Sequence, residues 1–177
     1  DYKNINNILI AGMGGSAISG DIISNFLKKN LSVPIIVLRD YSLPKWVDGN
    51  TLVILSSYSG NTEETLSIYN QSKMSSSMLI SITTGGLLKE KSKEDNVPCV
   101  PMPVGFQPRA AIGSSLITLV VILQKLALID SSFVDLFLDA SKELPSFFQE
   151  YCEENQYAYD IAEQINNSMV SIYGTQS

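Results

Sequence analysis

Two short stretches hold the residue types best suited to chemistry. Gly12-Met13-Gly14-Gly15-Ser16-Ala17 follows one apolar run, and Ser56-Ser57-Tyr58-Ser59-Gly60-Asn61-Thr62-Glu63-Glu64 follows another. A glycine-rich turn between a strand and a helix lets backbone approach a ligand closely, and the free amides of the helix's first turn attract an anion. Hydroxyls in the second stretch add side-chain donors for phosphate oxygens, so the pair fits a terminal phosphate monoester. Residues 12–17 also satisfy G-x-G-x-x-A, the dinucleotide fingerprint, with Asp40 placed where a ribose-binding acid could lie. A pyrophosphate reader relies chiefly on glycine backbone, however, and has no need of a second hydroxyl cluster. Helix capping is the plain alternative for the second stretch, because Asn61 to Glu64 fits a capping box. Capping accounts for one or two of these residues but not for Ser57, Ser59 and Thr62 together.

Two further features are open on residue chemistry alone. Thr83-Thr84-Gly85-Gly86 either walls the same site or simply starts a helix. Arg109, behind Pro108 at the head of a long apolar segment, either stabilises negative charge on a ligand oxygen or closes a surface ion pair.

The elements that must position these residues are legible as apolar runs at 5–11, 33–38, 51–56, 78–83 and 97–102. Each run is nearly continuous rather than alternating, as in strands buried on both faces of a parallel sheet. Helical spacing predicts helices near 16–29, 62–73, 86–94, 109–129 and 132–151, the last bent or divided at Pro145, and another reaching about 168. The fold expected is a doubly wound α/β three-layer sandwich around a five-stranded parallel sheet, flavodoxin-like or Rossmann-like. Residues 1–152 are expected to form one domain, and 153–177 a linker helix and the first strand, near 169–174, of a second domain cut short. The alternative is that this strand joins the edge of the first sheet.

Composition narrows the function. With 45% hydrophobic and 17% charged residues the 177-residue chain can bury a substantial core. A net charge of -6 argues against gripping nucleic acid or an anionic membrane surface. Residues 112–129 approach the length of a membrane span but carry Ser114, Ser115, Gln124 and Lys125, which favours a core or subunit-interface helix. Cys99 and Cys152 lack metal or disulfide spacing, a usage that suits a reducing cytoplasm. The count of histidines is 0, which removes histidine-based nucleophilic schemes and histidine-ligated metals from this chain acting alone.

Taken in order, GMGGSAISGD, VPIIVLRDYSLP, SSYSGNTEETL, TTGG and GFQPRAA resemble the bifunctional phosphoglucose/phosphomannose isomerase family, within the sugar isomerase (SIS) superfamily. The resemblance is to the family's N-terminal SIS domain. It implies a cytoplasmic homodimer that interconverts glucose 6-phosphate or mannose 6-phosphate with fructose 6-phosphate through a cis-enediol, in glycolysis, gluconeogenesis and mannose metabolism. It implies no metal and no cofactor. Gly15, Ser16, Ser57, Ser59 and Thr62 are implied to bind the sugar phosphate, and Arg109 to stabilise charge beside the reacting carbons. The family's glutamate base, histidine and lysine belong to a second SIS domain, so the 177 residues alone are expected to be inactive. A noncatalytic phosphosugar sensor and, behind it, a dinucleotide-binding domain are the alternatives.

Overall fold

Continuous runs of Ile, Leu and Val favour strands whose two faces are both covered; five strands form, the three central ones buried and the two edge strands only partly so. A computed structural model describes residues 2–154, 157–166, 168–171 and 173. Its elements are β1 (Asn7–Ala11), α1 (Gly15–Leu27), β2 (Ile35–Leu38), β3 (Thr51–Ser56), α2 (Glu63–Met74), β4 (Met78–Thr83), α3 (Gly86–Glu94), β5 (Cys99–Pro101), a 3₁₀ turn (Pro108–Ala111), α4 (Ile112–Lys125), α5 (Ser132–Phe148) and α6 (Tyr157–Ile165). All strand pairs are parallel, in the order β2-β1-β3-β4-β5. The expected doubly wound architecture is therefore present, with the flavodoxin-like strand order.

Alternation along the strands assigns the two faces. Leu9, Ala11, Val53, Leu55 and Leu79 pack with Ile68 and Tyr69 of α2 and Leu88 of α3. The opposite face carries Ile10 and Val37, against which Gly20 of α1 sits so closely that a β-carbon there would lie 3.1 Å from both side chains. Helix α4 packs beside α1 on this second face and buries Ser115, Leu119, Val120, Ile122 and Leu123. Among the described residues no helix is long and apolar enough to cross a membrane.

Two compact units divide the chain, one ending at Val134 and one beginning at Asp135. The second holds most of α5, a π-helical turn (Gln149–Glu154) and α6, and within it Phe147 stacks on Tyr151 with ring centroids 4.4 Å apart. Pro145 does not divide α5, which continues to Phe148 before widening into the π turn. The strand expected near 169–174 does not form in the described residues 169–171 and 173, while 172 and 174 lie outside the described residues.

At the edge of the sheet remote from the glycine-rich loops, the fully buried Tyr69 donates its hydroxyl to Asp95 Oδ2 at 2.7 Å, and Lys73 pairs with the same carboxylate. Burial first, then the hydrogen bond and charge of Asp95, push the Tyr69 phenol far above its ordinary value. The unfolded chain therefore releases this proton first. The stability it confers is complete below pH about 10 and is lost as pH rises further. Tyr69→Phe is expected to make the alkaline fall of urea-denaturation stability shallower than in the wild-type chain.

Candidate functional site

In a sheet of this order, the crevice for a ligand lies where β1 and β3 send their connections in opposite directions. The loops at that point are 12–14 after β1 and 57–62 after β3. The sequence places Gly15, Ser16, Ser57, Ser59 and Thr62 in these loops or the first turns that follow, and the fold brings them to one edge of the sheet.

Close backbone approach builds the edge. A β-carbon on Gly12 would lie 2.8 Å from the Ser56 carbonyl oxygen, and one on Gly15 would lie 2.8 Å from the Pro108 carbonyl oxygen and 3.4 Å from the Arg109 α-carbon. Glycine at these two positions thus lets the first loop touch both the end of β3 and the turn carrying Arg109. Gly60, with φ of +71°, presses against Gly85 in the loop after β4. The Leu88 amide donates to the Gly60 carbonyl at 2.9 Å and the Leu87 amide to Asn61 Oδ1 at 3.0 Å.

The hydroxyl pattern decides against simple capping. Thr62 is the N-cap of α2, yet its side chain makes no capping hydrogen bond. Its Oγ1 instead lies 2.8 Å from the Oγ of the buried Ser57, which also accepts the Gly60 amide at 3.1 Å. Asn61 caps nothing on α2, because its side chain is committed to Leu87 across the loop. The capping box legible at Asn61–Glu64 therefore does not form. Exposed Ser59 accepts the Asn61 amide at 3.2 Å, and Ser16 is 8% exposed in the first turn of α1. The N-cap of α1, Gly14, has no side chain to offer. Neither helix start is capped by a side chain, but at α1 the Ser16 and Ala17 amides donate to the Met13 and Gly14 carbonyls, both at 3.1 Å, so it is chiefly the first turn of α2 that offers an anion its amides.

Other candidates fall into place around this edge. Arg109 is exposed in the 3₁₀ turn beside Gly15. Asp40 accepts the amides of Tyr41 at 2.6 Å and Ser42 at 3.1 Å on one carboxylate oxygen, which closes a local turn. Thr84 donates both its amide, at 3.1 Å, and its hydroxyl, at 2.7 Å, to the Tyr58 carbonyl. The Tyr58 phenol donates to the Pro103 carbonyl at 3.0 Å and accepts the Phe106 amide at 2.9 Å. The sequence leaves the role of Thr84 open and assigns none to Tyr58, because no local spacing signals contacts across 26 to 48 residues. Among the described residues, no three His, Cys, Asp or Glu side chains gather to hold a metal.

No protein-family model matches the chain. It is 42% identical over 176 residues to a bifunctional phosphoglucose/phosphomannose isomerase of Caldicellulosiruptor bescii, an alignment covering 97% of this chain and 52% of that protein. A protein of the same name from Thermoplasma volcanium is 33% identical over 171 residues, covering 96% of this chain and 51% of the relative. The chain thus spans about half the length of these two relatives. The C-terminal domain of glucosamine-fructose-6-phosphate aminotransferase from Francisella tularensis shares the fold, with a TM-score of 0.69 at 17% identity over 93% of this chain and 49% of that one.

Gly60→Ala tests the loop packing directly. The added β-carbon would lie 1.8 Å from the Gly85 carbonyl oxygen and the backbone would be held at positive φ. A loss of about 2–4 kcal/mol in urea denaturation is expected.

Proposed function

The chain is a homologue of the bifunctional phosphoglucose/phosphomannose isomerases, and on that premise we propose that it supplies the phosphate-binding half of an aldose–ketose isomerase acting on sugar 6-phosphates. The observation that carries this reading is the loop after β3. Ser57 and Thr62 pair their hydroxyls, with the α2 N-cap side chain left out of capping, at the β1/β3 crevice beside the first turn of α1. Hydroxyls of both helix starts and the first-turn amides of α2 lie at this one edge, which suits a compact dianion better than the extended pyrophosphate of a dinucleotide.

Isomerisation between an aldose and a ketose removes a weakly acidic proton beside a carbonyl and returns it to the neighbouring carbon, through a cis-enediol. It needs a carboxylate base at that carbon and positive charge for the developing enediolate oxygen. Gripping the phosphate does neither, but it fixes the reacting end and turns remote binding into orientation. In this scheme Gly15 gives its backbone and Ser16, Ser57, Ser59 and Thr62 hold the phosphate, while Arg109 supplies the charge. We assign the base to no residue of this chain. Glu63 and Glu64 open α2 and lie close enough to Tyr41, in the loop after β2, to help burial push its phenol up, and at the helix start they complement the dipole. The chain also carries no histidine for ring opening. Interconversion of glucose 6-phosphate and mannose 6-phosphate with fructose 6-phosphate, a cytoplasmic homodimer, and a place in glycolysis, gluconeogenesis and mannose metabolism complete the reading, with homology as their support. The division of labour proposed gives residues 1–152 to the phosphosugar domain and 153–177 to a connection into a second one.

Calorimetric titration with fructose 6-phosphate tests the proposal. The 177-residue chain is expected to bind it, with Ser59→Ala binding at least about tenfold more weakly for loss of a hydrogen bond to a charged group. It is expected to show no isomerase turnover. Binding of NAD without binding of fructose 6-phosphate would overturn the reading.

A further inference from the structure

The segment between β5 and the 3₁₀ turn, residues 102–107, leads into Arg109 and is anchored by apolar packing only at its start, where Met102 is buried. Val104 is 74% exposed and Phe106 51% exposed, and Gly105 turns the chain at a φ of +93°. Loops of this kind move unless polar contacts hold them. Three contacts do so here. The Met102 amide donates to the Thr83 carbonyl at 3.0 Å where the segment leaves β5. At the other end Gly15 abuts Pro108 and Arg109. Between them the Tyr58 phenol spans the turn, donating to the Pro103 carbonyl and accepting the Phe106 amide, so that one oxygen closes both sides of the Gly105 bend.

Tyr58 is itself held. Its carbonyl accepts the amide and the hydroxyl of Thr84 at 3.1 and 2.7 Å, and Thr83 Oγ1 lies 2.9 Å from the Gly85 carbonyl, which it meets as donor. The residues on either side of Tyr58 in sequence are Ser57 and Ser59, both in the hydroxyl cluster. A single side chain therefore joins the loop after β3, fixed by the loop after β4, to the segment that leads into Arg109.

We propose that Tyr58 is a positioning residue that clasps the Arg109-bearing segment to the hydroxyl cluster, so that Arg109 is presented to an anionic ligand in one geometry; Thr84 is the brace that keeps Tyr58 in place. The ligand half of this statement rests on the phosphosugar reading above. The clasp itself rests only on the hydrogen bonds. Tyr58→Phe removes the phenol oxygen and keeps the ring. Because Pro103 and Phe106 are exposed, water can satisfy the groups left behind, and the fold is expected to survive.

Amide hydrogen exchange on the 177-residue chain without ligand is the first readout. In Tyr58→Phe the Phe106 amide is expected to exchange at least about tenfold faster, with the amides of residues 107–111 following, while the β1 and β3 amides are unchanged. Unchanged exchange at Phe106 overturns the clasp. The second readout is fructose 6-phosphate affinity in a double-mutant cycle. Tyr58→Phe is expected to weaken binding about five- to tenfold in the wild-type background, and by less than about twofold in Arg109→Gln and Arg109→Lys backgrounds. Equal losses in all three backgrounds would show that Tyr58 does not act through Arg109 and would overturn the positioning role. If the wild-type chain binds no fructose 6-phosphate, the phosphosugar reading fails, and the exchange experiment still decides whether Tyr58 holds the segment.

Discussion

The edge of the sheet works as one surface because backbone meets backbone there, with no side chain between. Gly12 lies on the Ser56 carbonyl, Gly15 on Pro108, and Gly60 on Gly85. A β-carbon at any of these points would push two stretches of backbone apart. The pairing of Ser57 with Thr62 depends on the same constraint, since the turn that joins them passes through Gly60 at positive φ. Close packing of this kind leaves little room for adjustment and transmits a displacement in one loop to the next.

The remainder of the fold serves that edge. Apolar faces on both sides of the sheet fix the strands, and with them the level at which each loop begins. Reversal of strand order between β1 and β3 opens the crevice, and the helix starts that flank it present amides that their N-cap side chains do not use. Helix dipoles and Arg109 supply local positive potential at this edge, beside the acidic Glu63 and Glu64 of the first turn of α2. A chain with a net charge of -6 can bind a dianion in this way, because the field that matters is local.

Much of this was legible in the sequence, for definable reasons. Five strands announced themselves because parallel strands buried on both faces read as unbroken apolar runs, and the runs at 51–56 and 78–83 became β3 and β4 without change. Helix ends were less exact where caps decide them: the apolar segment from Arg109 starts as a 3₁₀ turn and becomes α-helical at Ile112. The capping box at Asn61–Glu64 is a live alternative in sequence because the residue types that cap helices also suit a ligand loop, and only the cross-loop partner of Asn61 shows that the box does not form. Asp40 is ambiguous in sequence for the same reason, since an acid at a strand end closes an Asx turn, as it does here, as readily as it binds a ribose. Nothing local to Tyr58 shows its role, for its partners lie 45 and 48 residues away, at the edge of the GFQPRAA stretch.

The central claim is that a phosphosugar's phosphate sits between the first turns of α1 and α2. Amide chemical-shift mapping of the ¹⁵N-labelled chain during titration with fructose 6-phosphate tests it most directly. The account predicts that the largest, saturable shifts fall on residues 14–17 and 57–63, with inorganic phosphate moving the same amides. Shifts centred on Asp40 and the end of β2, or on the opposite edge of the sheet around Tyr69 and Asp95, would contradict it.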